Sequence, residues 1–115
     1  MKNLLTLSIL TYLLISINSI AISENSNDKI LKIGILLPLS GKSQDIGESF
    51  LKAIQLALFD ISNRNIKIYP KDSKGNALDA YEAAKEFEKE KINIVIGPIF
   101  HKSLEKLGDI NNITF

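Results

Sequence analysis

The sequence predicts an α/β protein: a doubly wound parallel sheet with helices on both faces, truncated after about three to four strands. Three observations carry that prediction. Short apolar runs at residues 30–39, 65–69 and 92–96 alternate with longer stretches of helical period. Each strand-plus-helix unit has the length of a right-handed crossover between parallel strands. The first and third runs are nearly continuous in Ile, Leu and Val and end at Pro or Gly, as strands covered on both faces do.

The elements follow in order. Residues 30–39 form the first strand. From Asp45 the period changes, and Ile46, Phe50, Ile54, Ala57, Leu58 and Ile61 recur at helical spacing opposite Glu48, Lys52 and Gln55. Asp45 and Glu48 read as a capping box at the start of this helix, which stops at Ser62-Asn63. The second strand, 65–69, alternates Ile66 and Ile68 with polar neighbours. Pro70 cannot donate a ladder hydrogen bond, so this strand belongs at a sheet edge. Asn76 is a plausible N-cap for a helix over 77–91 that turns Ala80, Tyr81, Ala84 and Phe87 to one face. Its charged stretch KEFEKEK is a solvated surface. The third strand, 92–96, ends at Gly97-Pro98. A short helix over 103–110 leads to 113–115, which read as the first residues of a fourth strand.

Composition narrows the function. The chain has 115 residues, 14 basic against 13 acidic side chains, one histidine and no cysteine. That length holds one domain at most. Near-neutral, interspersed charge argues against a nucleic-acid partner, which requires a basic face. The lack of cysteine excludes disulfides, thiolate chemistry, Cys-ligated zinc and a lipid-bearing cysteine. At the N-terminus, Lys2 precedes a mostly apolar core, and Ser19 and Ala21 supply the small residues a signal peptidase reads. Residues 1–21 are therefore expected to be a signal peptide, 22–28 a polar linker, and 29–115 the exported domain. The expected location is the periplasm, and an uncleaved leader would be the chain's one membrane contact.

In a doubly wound sheet, ligands bind beyond the carboxyl ends of the strands where strand order reverses. With the second strand at the edge, strands one and three are central neighbours, and the loops 38–44 and 97–103 flank the crevice. The first loop contains Gly41-Lys42-Ser43, the ending of a phosphate-binding P-loop. The spacing fails, because the first glycine would fall at Leu36, and Pro38 removes an N–H donor from the cradle. The loop instead leads to a helix N-terminus, whose N–H groups favour a carboxylate or similar anion. Ser40, Ser43 and Ser103 can bind ligand or cap helices, capping being the simpler role for the last two. His101 is read as a solvated loop residue or a partner for a ligand carboxylate, and Asp72 as a residue that orders its loop. No nucleophile elbow, zinc-binding helix motif or second histidine is present, so no enzyme, cofactor or metal site is expected.

The segments KIGILLPLSG, AIQLALFDI, IYPKDSKG, EAAKEF and INIVIGPIF occur in that order. Together they resemble the leucine-binding type of periplasmic binding protein, the type I fold, over 29–113. GILLPLSG with QLALFD is most similar to the penicillin-binding protein activator branch, envelope proteins linked to peptidoglycan synthesis. The resemblance implies the first half of the first of two lobes. It also implies a ligand that is a small polar solute or amino acid, and an ABC-type importer or a peptidoglycan synthase as protein partner. Amino-acid binders place an aromatic residue before the glycine of the first loop, where this chain has Ile46 before Gly47. They place a serine shortly after the third strand, where this chain has His101, with Ser103 two residues on. The ligand-binding candidates are thus Ser40, Gly41, Ile46, His101 and Ser103. A single half-lobe, lacking a second wall to close, is expected to bind solute weakly or not at all.

Overall fold

The computed structural model describes residues 29–115. The expected signal peptide, 1–21, and linker, 22–28, lie outside the described residues. Strand β1 (Leu31–Leu37) runs into a 3-10 turn at Gly41–Ser43 and helix α1 (Gln44–Ile61). Strand β2 (Ile66–Asp72), helix α2 (Ala77–Lys89), strand β3 (Val95–Ile96) and helix α3 (His101–Leu104) follow, with a second 3-10 turn at Leu107–Asp109. The three strands are parallel in the order β2-β1-β3. This is the expected parallel α/β sheet, with the second strand at the edge and the first and third adjacent.

Alternation along β1 assigns its two faces. Gly34 and Leu36 face α2, whose Ala80, Ala83, Ala84 and Phe87 join Leu36, Ile92 and Val95 in one buried cluster. Ile33 faces the other way, where α1 lays Ile54 and Leu58 over Ile66, Ile68 and Ile96. The sheet is therefore covered on both sides.

Strand β2 is longer than its alternation suggested, because Pro70 does not end it. The Leu31 N–H donates to the Asn65 carbonyl at 2.7 Å, and the Ser73 N–H to the Leu37 carbonyl at 2.8 Å. Those bonds set the phase: odd-numbered residues of β2 face β1, so the N–H that Pro70 lacks would have pointed outward. The edge position tolerates the proline. Lys71, on an odd position, reaches Glu86 of α2 and Glu90 at its C-cap at 2.8 Å each and ties the edge strand to the helix.

Two expectations about ends are corrected. No capping box forms at α1. The 3-10 turn moves the helix start to Gln44, and the Glu48 carboxylate accepts from Gln44 Nε2 at 2.7 Å instead of turning back to a cap. The third helix of the sequence reading, 103–110, is two short turns, α3 and the 3-10 turn, with Gly108 in the latter. Elsewhere the local signals hold. Asn76 caps α2 by accepting from the Leu78 and Asp79 N–H groups at 3.0 Å, and α1 ends on Ser62 in the left-handed region. Where a fourth strand is expected to begin, Thr114 makes a single parallel bridge to β3's start: it donates to the Asn93 carbonyl at 2.8 Å and accepts from the Val95 N–H at 2.9 Å. The start of the third strand is therefore not an open edge.

Candidate functional site

Three loops leave the carboxyl ends of β1, β2 and β3 and converge. Gly47 lets α1 start close under the first loop, since a Cβ there would lie 2.0 Å from the Pro38 carbonyl oxygen. Gly97 plays the same part after β3. Its φ of +108° and the Leu36 carbonyl, 2.1 Å from any Cβ, admit glycine alone. The second loop meets the other two at Gly75, where the Phe100 ring and Pro38 lie within 4 Å of the Cβ direction.

Asp72, the last residue of β2, holds this junction together. Its Oδ1 accepts from the Leu39 and Lys74 N–H groups, both at 2.8 Å, and the Ser40 hydroxyl donates to the same carboxylate. Partial burial disfavours the charge. The Ser40 hydroxyl and the N–H groups of Lys74, Leu39 and Ser40 outweigh it and hold the carboxyl below its ordinary value of 3.8. Asp72 thus orders its loop, and the loop after β1 as well.

Between the loops lies an open groove of about 490 Å³. Lys42 and Ser43 line it from the first loop, Lys74 and Gly75 from the second, and Phe100, His101 and Lys102 from the third. Lys74 is paired with Asp79 at 2.8 Å, which raises its pKa and lowers that of the aspartate. The groove offers ammonium groups and hydroxyl over an aromatic floor, a chemistry suited to an anionic or zwitterionic solute.

The candidates from the sequence are distributed around it. His101 lines the groove as the first residue of α3. Ser43 lines it too, at the N-cap position of α1 but without a side-chain cap bond. Ser40 is turned onto Asp72, and Gly41 stands exposed at φ +77° beside it. Ile46, 45% exposed, lies in the first turn of α1 outside the groove lining. Ser103 is fully buried and caps nothing. Its N–H donates to the Phe100 carbonyl at 2.9 Å, and its hydroxyl has no partner among the described residues. Sequence reasoning missed Lys74, because its loop follows the edge strand, and weighed Lys42 solely as part of a failed P-loop. Among the described residues, no group of His, Asp or Glu side chains could hold a metal ion, and no helix is long and apolar enough to cross a membrane.

A parallel sheet whose strand-end loops flank an open polar groove has the arrangement of an α/β binding module. The family profile described as "Periplasmic binding protein" matches residues 30–112, and the chain belongs to that family. The family is generally non-catalytic and points to the periplasm or cell envelope. The chain is also similar in fold to full-length LpoA from Haemophilus influenzae, at 24% identity and a TM-score of 0.57. That similarity covers 68% of this chain and 13% of LpoA. No curated protein sequence matches.

Proposed function

We propose that the chain is an exported solute-binding module of the leucine-binding type, recognising a small polar solute of amino-acid kind at the carboxyl ends of β1 and β3. The observation that carries this reading is the groove in which loops from all three strands meet. His101 and Ser43 are proposed to meet the ligand, with Ser40 and Gly41 shaping the first loop. Ile46 and Ser103 would act at the margin, through α1 and α3. Residues 1–21 would direct export, with cleavage after Ala21, and 29–115 would form part of the first lobe. Delivery to an ABC-type importer is the corresponding partner role. Calorimetric titration of the mature chain with a panel of amino acids tests the reading. Saturable binding that His101→Ala weakens supports it, its strength limited by the single lobe; no heat with any member of the panel rejects it for this chain.

A second reading is favoured by Ile46, which stands where amino-acid binders have an aromatic residue and begins an exposed apolar stripe with Phe50 and Ile61. In that reading, in line with the resemblance to the activator branch, the chain regulates a peptidoglycan synthase by protein contact and binds no small molecule. Recovery of a bifunctional penicillin-binding protein from envelope extract, lost with Phe50→Lys, distinguishes it.

A further inference from the structure

The charges lining the groove are of one sign, in a chain that is almost neutral. The polar hollows along α2 mix signs: one has Lys71 and Lys74 beside Asp72, Asp79 and Glu86, another has Lys89 and Lys91 beside Glu88. The groove at the strand ends has Lys42, Lys74 and Lys102, and no carboxylate lines it. Lys74 is already neutralised by Asp79. The carboxylate behind it, Asp72, is committed to Ser40 and to backbone N–H groups. Lys42 and Lys102 form no ion pair among the described residues and stand on different loops. Two lysines without an ion-pair partner among the described residues therefore line one cavity.

A single carboxylate could satisfy one of them and would leave the other unanswered. A ligand with two separated or shared negative charges compensates both at once. The Phe100 ring supplies an apolar floor for a short carbon skeleton. We infer that this groove selects dianions, dicarboxylates or phosphate-type groups, over amino acids without net charge. The inference rests on the solute-binding reading above and sharpens its ligand class.

The test titrates the full chain with succinate and with inorganic phosphate, and in parallel with leucine and glutamine. Measurements at low salt are repeated at about 0.15 M ionic strength, where exposed charge contacts are screened. Succinate or phosphate should bind more tightly than either neutral amino acid. Lys42→Gln and Lys102→Gln should each weaken that binding about fivefold, the upper range for an exposed ion pair. Both side chains are exposed, so the variants keep the fold. A second hollow at the opposite end of the strands, with Lys29, Lys32 and Lys91, is likewise free of carboxylates but has neither an aromatic ring nor a hydroxyl in its lining, and it provides the control. The pair Lys29→Gln and Lys91→Gln should leave affinity unchanged. An equal loss in that control would mean diffuse attraction and overturn the site. Leucine or glutamine binding as well as succinate would overturn the dianion preference while leaving solute binding intact. Absence of any solute binding would overturn both.

Discussion

At Gly47 the rule for helices reverses. Alanine in a helix interior ordinarily gains about 1 kcal/mol over glycine. Here the added Cβ would meet the Pro38 carbonyl, which belongs to the backbone and cannot swing aside. Gly47→Ala should therefore destabilise the fold by about 1–3 kcal/mol, the cost of overpacking, read as a lower urea midpoint. Asp72 makes a different kind of demand. Its carboxyl is held below 3.8 in the folded chain, so the folded state releases its proton more readily than the unfolded one. The stabilisation is complete above that unfolded value and is lost as pH falls through the lower, folded value. Asp72→Asn should cost about 1–2 kcal/mol at neutral pH, because hydrogen bonds to a charged acceptor are weakened. The gap between the two proteins should narrow as unfolding is followed below pH ~4. A constant gap would show that the carboxylate charge has no part in joining the loops.

Among the elements, α2 is the better specified. Asn76 caps it, Lys71 reaches its Glu86 and Glu90, and Phe87 is wholly buried beneath it. Asn76→Ala should lower stability by about 1 kcal/mol, checked by urea unfolding followed through helical circular dichroism. That cap was legible because it depends on one side chain and the N–H groups just after it. The α1 start was not. Its Asp45 and Glu48 had the right spacing, but the preceding 3-10 turn depends on how the first loop meets Asp72, a residue more than two dozen positions on. Strand β3 illustrates the same limit from the other side. Its apolar run of 92–96 promised a full strand, yet regular pairing with β1 is confined to Val95 and Ile96, while Ile94 bridges to Thr114. Likewise, the groove was legible as a place, between loops one and three. Its lysines were not, because Lys42, Lys74 and Lys102 become neighbours when the two crossovers joining the three strands close.

For the whole molecule, crossover handedness explains an imbalance between the two faces. The connection from β1 to β2 runs toward one edge and places α1 on one side. Those from β2 to β3 and from β3 toward Thr114 run the other way and place α2 and α3 together on the opposite side. The α2 side is sealed, and Leu107, Ile110 and Ile113 complete its cluster. On the other side α1 is the sole cover among the described residues. It leaves an apolar hollow of about 220 Å³ between Ile54, Ile61 and Ile96, with Ile61 60% and Ile96 48% exposed. Phe59, on the far side of α1, is 78% exposed. Such a surface, beside a strand whose outer edge is paired at Ile94 and Val95 but not beyond, favours association with any chain that can cover it. Residues 29–115 alone should therefore self-associate with rising concentration in sedimentation velocity. Ile96→Lys, which puts a charge into the hollow's rim without touching the α2 cluster, should shift the distribution to monomer. If the unsubstituted protein stayed monomeric throughout, α1 would be sufficient cover for its side of the sheet. If Ile96→Lys associated as strongly as the parent, contact would run through Phe59 and the outer surface of α1. The apolar hollow would then be no more than a gap in packing.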